Sequence, residues 1–112
     1  MAVRLTKKWQ PLADAAIRKI GAHMGVYQLA NAAGEVLYIG FAGGSSHFGL
    51  RGLLNDHLVD DDVDATQFRI EITTAYHSRY RELLQVHVHD HGCAPSRNSS
   101  VSVATLGRLR LG

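Results

Sequence analysis

Two apolar stretches separated by a turn signal constrain the fold of this chain more than any other feature. Residues 24–30 read MGVYQLA, residues 35–40 read EVLYIG, and NAAG stands between them. Apolar runs of this length on either side of a turn favour an antiparallel hairpin. A third strand is predicted where Phe68, Ile70 and Ile72 alternate with polar residues, because alternation places one side of a strand against a core.

Three further segments show helical spacing. The apolar residues repeat every three or four positions over residues 11–20, 50–58 and 75–91. The order of elements predicts an α+β domain, with a short antiparallel or mixed sheet of about three strands flanked by helices. We expect one domain over residues 1–112, with its core at about 24–98 and a helix at about 11–20. Residues 99–112 form a C-terminal extension for which the pattern allows either a strand or a tail.

Composition narrows the class of protein. The 112 residues are 46% hydrophobic, which is typical of a globular domain, and no apolar run is long enough for a membrane span. The single cysteine excludes an internal disulfide framework, so we expect a reducing, cytoplasmic location. Five basic residues against one acidic residue in 1–24 contrast with five aspartates and no lysine or arginine in 56–64. The net charge of +2 alone is weak evidence for nucleic-acid binding.

The hairpin carries two tripeptides that resemble the paired signature of the GIY-YIG nuclease superfamily. These are GVY at residues 25–27 and YIG at residues 38–40. Three single residues follow in the family's order: Arg51 on the next helix, Glu82 on the last helix, and Asn98 after that helix. The resemblance covers residues 24–98 and implies the small α+β fold of that superfamily.

The resemblance also implies an activity, which is metal-dependent hydrolysis of phosphodiester bonds in DNA. By position, Glu82 would hold one divalent ion, Mg²⁺ or Mn²⁺, for which a carboxylate oxygen is a suitable ligand. Arg51 would brace the scissile phosphate, because a guanidinium can bind two phosphate oxygens at once. Tyr27 and Tyr38 would place and deprotonate the attacking water, and Asn98 would support the catalytic residues.

Three positions differ from the family pattern. Phe41 stands where many members carry a basic residue, Asn55 stands where a histidine or tyrosine is common, and the glycine-rich loop before Arg51 is long. These differences leave open which residue acts as the general base. The residues that could support the site are His57, Asn55 and Gly40. The differences motivate an alternative, a catalytically inactive nucleic-acid-binding or protein-interaction module on the same fold.

Each candidate also has an ordinary structural interpretation. Tyrosines are common in β-strands, so Tyr27 and Tyr38 could be ordinary strand residues. Charged residues are common on the exposed faces of helices, so Arg51 and Glu82 could be ordinary surface residues. The nuclease hypothesis requires these four side chains to converge on one concave surface. A Glu82 that points elsewhere, or that pairs tightly with an arginine, favours the inactive module.

DNA is the expected partner of the nuclease and of a nucleic-acid-binding module, whereas a protein-interaction module would bind another protein, and no membrane partner is expected. A domain this small would take its target preference from DNA shape, a partner protein or a second copy of itself. His87 and His91 lie one helical turn apart, which is a metal-ligand spacing, but no zinc motif supplies a third ligand. We interpret them as histidines near a helix C-terminus, where the helix dipole favours them.

Overall fold

A computed structural model describes residues 4–44, 48–59 and 65–98 of the chain. The extension at 99–112 and residues 60–64, which carry four of the five aspartates noted above, lie outside the described residues. The elements, in chain order, are β1 (Gln10–Pro11), α1 (Asp14–Ile17), β2 (Gly25–Ala30), β3 (Val36–Ala42), α2 (Gly49–Val59), β4 (Gln67–Ile72), α3 (Tyr76–His91) and a 3₁₀ turn at Ser96–Asn98.

The strands form one antiparallel sheet in the order β1-β4-β2-β3, so the α+β prediction is confirmed. The predicted hairpin is β2–β3, and the predicted third strand, β4, pairs with the other side of β2. Asn31 closes the hairpin turn, because its side-chain oxygen accepts hydrogen bonds from the backbone N–H groups of Ala33 and Glu35.

The register assigns each strand residue to one of two faces. Tyr27 stands opposite Gly40 and Ile70, and Leu29 opposite Tyr38 and Phe68, so these residues share one face. Helices α1 and α2 cover that face and bury its apolar side chains. Helix α3 and the N-terminal segment around Leu5 cover the other face, where Val26, Ile39, Leu83 and Leu84 are buried.

The prediction of a helix over residues 11–20 was wrong at both ends. Pro11 pairs with Gln67 in β1, and the N–H of Leu12 donates to the carbonyl of Thr66, so the chain is still extended there. The α-helix spans only Asp14–Ile17, and turn-type hydrogen bonds continue to Ile20. The N-terminal part of the predicted helix is instead used to extend the sheet.

The predictions of the other two helices are confirmed. Helix α2 spans Gly49–Val59, and its Leu50 and Leu54 are fully buried. Helix α3 ends at His91 because Gly92 adopts a left-handed φ of 81° and its N–H caps the carbonyl of Val88. Within the described part of the chain, none of the helices combines the length and the apolar character needed to cross a bilayer.

Candidate functional site

Three side chains from three different elements meet on the face covered by α2. The Tyr27 hydroxyl of β2 lies 2.9 Å from Nε2 of His57 on α2. The ring of Tyr38 on β3 lies 5.9 Å from the Tyr27 ring and 5.1 Å from the His57 ring, measured between centroids. We call these three residues the tyrosine–histidine cluster. It unites both signature tyrosines with one of the residues predicted to support them.

Gly40 makes room for this cluster. It stands directly opposite Tyr27 in the β2–β3 register. A β-carbon at Gly40 would lie 2.5 Å from Cζ and from the hydroxyl oxygen of Tyr27, well inside van der Waals contact. The predicted support from Gly40 is therefore steric, since the absent side chain leaves the space that the Tyr27 phenol occupies.

Burial sets the protonation state of Tyr27. Its side chain is 2% exposed, and burial raises its pKa far above the ordinary value, with smaller contributions from Tyr38, Tyr80 and Asp56. The phenol therefore stays protonated at neutral pH and donates to Nε2 when His57 is the acceptor. A phenol in this state orients the imidazole and does not take a proton from water.

The Asn98 side chain holds the backbone of β3, the strand that carries Tyr38 and Gly40. Its side-chain oxygen accepts from the N–H of Ile39 and its amide nitrogen donates to the carbonyl of Ile39, both at 2.9 Å. Asn98 is 3% exposed, so these bonds satisfy a buried polar side chain and a buried strand residue together. Because Ile39 lies between Tyr38 and Gly40, Asn98 fixes the backbone that presents both.

Arg51 lies in a different place, an open cleft of about 270 Å³ between α1 and α2. Asn55 lines the same cleft, one helical turn further along. His57 lies six positions after Arg51, which corresponds to about 120° around an α-helix, so the two side chains leave α2 in different directions. Arg51 and Asn55, which were predicted for separate roles, therefore lie together in this cleft and not in the tyrosine–histidine cluster.

Five other residues line the cleft, and none was predicted as a site residue: Asp14, Ile17, Arg18, Phe48 and Gly52. Phe48 is 56% exposed and has a φ of 62°, which is an outlier for a bulky residue. Arg18 joins it in the lining and forms an exposed ion pair with Asp14 at 2.8 Å. We call this the arginine–phenylalanine cleft. The sequence gives no periodic signal for either residue, because the cleft exists only once α1 docks against α2.

Glu82 lies on the other side of the sheet. Its carboxylate accepts a hydrogen bond from Arg79, one turn earlier on α3. Arg79 also donates to both carboxylate oxygens of Glu71, at 2.8 and 3.1 Å, and its side chain is only 12% exposed. Glu71 stands opposite Val26 on the face that α3 covers. The structure does not bring Glu82 together with Tyr27 and Tyr38.

The residues near Glu82 do not fit a divalent metal ion as they are arranged. A guanidinium occupies the position between the carboxylates of Glu71 and Glu82 that a cation would need. Over residues 4–44, 48–59 and 65–98, no three or more histidine, cysteine, aspartate or glutamate side chains are grouped as metal ligands. The rings of His87 and His91 lie 4.4 Å apart between centroids and are tilted by 36°, and Nδ1 of His87 donates to the carbonyl of Cys93.

Tyr80 was missed as a neighbour of the cluster. Its ring packs edge-on against Phe41, with 4.9 Å between the centroids. The pKa of Tyr80 is raised mainly by burial and to a smaller extent by the nearby Tyr38. Tyr80 therefore approaches the outer strand β3 from α3. Its spacing from Tyr76 and Leu83 in the sequence is typical of the buried face of a helix. The sequence therefore does not indicate that Tyr80 lies near Tyr38.

Comparison with known proteins gives a family without an assigned activity. A family model described as Domain of unknown function (DUF7508) matches residues 3–90, so the chain belongs to that family. The match includes the tyrosine–histidine cluster and the arginine–phenylalanine cleft, and it ends before Asn98. No curated protein and no solved structure matches the chain significantly.

Proposed function

We propose that this DUF7508 domain binds DNA through the arginine–phenylalanine cleft and does not cut it through Glu82. The proposal keeps the fold and the DNA partner that the GIY-YIG resemblance implies. The observation that carries it is the separation of Arg51 from Glu82, since the arginine lines an open cleft between α1 and α2 while the glutamate is bonded to Arg79 on α3.

The cleft has the chemistry of a nucleic-acid contact. Arg51 presents a guanidinium at an open surface, and guanidinium groups bind phosphate oxygens through two parallel N–H donors. The ring of Phe48 beside it offers a stacking surface that any nucleobase can use. Its left-handed backbone conformation costs about 1–3 kcal/mol, and such strain clusters at binding sites.

The exposed ring favours one form of DNA over another. A base stacks on an aromatic side chain only when it is released from its own duplex neighbours. Single-stranded or distorted DNA should therefore bind more tightly than intact duplex. A partner protein or a second copy of the chain would add target recognition, and the single cysteine is in keeping with a cytoplasmic location.

A metal-dependent endonuclease is the second candidate. The tyrosine–histidine cluster favours it, because Tyr27 orients an imidazole beside the half-buried Tyr38 on the strand that carries YIG. In this case Glu82 would have to exchange Arg79 for Mg²⁺ or Mn²⁺, and His57 or Tyr38 would be the group that accepts a proton. Arg51 would then act on the substrate from the neighbouring cleft.

One pair of assays separates the two functions. Fluorescence anisotropy with single-stranded, nicked, branched and duplex DNA measures binding, and gel electrophoresis of the same samples with Mg²⁺ or Mn²⁺ measures cutting. We expect salt-sensitive binding without cutting, and weaker binding by Arg51→Gln than by Arg81→Gln, which removes an exposed arginine from α3. Metal-dependent cutting that Glu82→Ala abolishes would establish the endonuclease instead. The absence of both binding and cutting would refute both.

A further inference from the structure

A second cavity lies on the opposite face of the sheet from the tyrosine–histidine cluster. Its volume is about 400 Å³, within the range of small-molecule sites. The N-terminal segment forms one wall through Arg4, Leu5 and Thr6. The sheet and α3 form the other walls through Gln28, Val36, Arg69, Leu83, Val86, His87 and Asp90.

Arg69 is the feature that gives this cavity a chemical preference. Its Nε donates to the side-chain oxygen of Gln28 at 2.7 Å, and one terminal nitrogen reaches the carbonyl of Lys7 at 3.5 Å. Both partners are neutral. Within residues 4–44, 48–59 and 65–98, no carboxylate forms an ion pair with Arg69. Its positive charge is thus partly buried without a counter-charge from the described protein.

The other charges around the cavity cancel. Arg4 and Asp90 form an ion pair at 2.6 Å that ties the N-terminal segment to α3. Burial lowers the pKa of His87, which favours its neutral ring. Burial also lowers the pKa of Arg69, but an arginine remains protonated at neutral pH. The cavity therefore keeps one net positive charge.

The walls determine the rest of the ligand. Leu5 and Leu83 are buried, and Val36 and Val86 are half-buried beside them. An anion that entered would place its charged head on the guanidinium and its body against these side chains. Three of the five N–H groups of Arg69 make no bond to the described protein, and they can hold a carboxylate through two of them.

We propose that this cavity binds a small organic carboxylate, with its carboxylate on Arg69 and its aliphatic part between the N-terminal segment and α3. The site is independent of DNA binding, because it lies on the other face of the sheet from Arg51. It gives the domain a ligand that closes the N-terminal segment over the sheet, in addition to the Arg4–Asp90 ion pair.

The only tryptophan reports directly on this site. The guanidinium carbon of Arg69 lies 4.1 Å from the centroid of the Trp9 ring. An anion that binds Arg69 changes the field at that ring, so titration with butyrate should give a saturable change in tryptophan emission. Acetate should bind more weakly by about fourfold for each missing methylene, and butyramide, which is neutral, should give no saturable change.

Variants decide whether the cavity is responsible. Arg69→Gln should weaken butyrate binding by about tenfold or more, because it removes a charge-assisted bond, whereas Arg81→Gln should not. Val86→Phe keeps Arg69 and Trp9 but fills the cavity, so it should also block butyrate, and it guards against misfolding of the first variant. Inorganic phosphate that binds as tightly as butyrate would overturn the aliphatic part of the proposal. A non-saturable change, or full binding by Arg69→Gln, would overturn the site.

Discussion

Substitution of Gly40 by alanine tests the packing of the tyrosine–histidine cluster. The new methyl group would lie 2.5 Å from two atoms of Tyr27, whereas carbon atoms in contact are normally about 3.5–4.0 Å apart. The ring cannot retreat, because it is 2% exposed and its hydroxyl is bonded to His57. Overpacking of this kind costs about 1–3 kcal/mol.

Two further contributions change the total. If the ring is displaced, the buried Tyr27–His57 hydrogen bond is lost, which adds about 1–3 kcal/mol. Replacement of glycine by alanine also restricts the unfolded chain, which stabilises the fold by about 0.4–1 kcal/mol where the backbone conformation permits. The steric and hydrogen-bond losses exceed this gain. We therefore expect Gly40→Ala to lower the free energy of unfolding by about 2–4 kcal/mol.

Urea unfolding followed by circular dichroism measures the effect. The matched control is Gly44→Ala, just beyond the end of β3, where a β-carbon would meet only the sulfur of Met24 at 3.9 Å. That control should change the free energy of unfolding by less than about 0.5 kcal/mol. In a Tyr27→Leu background, the cost of Gly40→Ala should fall sharply, since the obstructing ring atoms are gone. Equal effects of the two glycine substitutions, or no coupling with Tyr27, would refute the steric argument.

Two other substitutions follow from the same structure. Asn98→Ala leaves the N–H and carbonyl of Ile39 without their partner, so we expect the free energy of unfolding in urea to fall by about 2–4 kcal/mol. A loss under about 1 kcal/mol would contradict a stabilising role of the two Asn98–Ile39 hydrogen bonds. Burial lowers the pKa of His87, so the unfolded chain binds its proton more readily. The free energy of unfolding should fall as the pH drops below about 6.5, and His87→Gln should reduce that slope more than His89→Gln does. Identical pH profiles for these two variants would refute the role of His87 in the loss of stability at low pH.

Much of the fold follows from local patterns. The predicted ends of helix α3 and strand β4 lie within one residue of the observed ends. The reason is that each element repeats its apolar positions over its whole length. Strand β1 has two residues, which is too short to have a period. The apolar spacing over 11–20 favoured a helix, but pairing with β4 keeps Pro11 extended.

In the candidate site, too, some contacts follow from the sequence and others depend on how the elements pack. The proximity of Tyr27 and Tyr38 follows from the hairpin register, which places them diagonally on one face. The bond between Tyr27 and His57 joins residues 30 positions apart, and it depends on how α2 docks on the sheet. The bond from Arg79 to Glu82 is local, but the sequence does not show that Arg79 also reaches Glu71 across the element boundary.

The salt dependence of DNA binding tests the central claim most directly. The measurement is the dissociation constant for a single-stranded oligonucleotide over a series of salt concentrations, for the wild type, Arg51→Gln and Arg81→Gln. If Arg51 contacts a phosphate, its loss should weaken binding and reduce the slope of log K against log salt by about 0.7. Arg81→Gln should keep the wild-type slope. Equal slopes for all three proteins, or binding that does not respond to salt, would contradict a phosphate contact in the arginine–phenylalanine cleft.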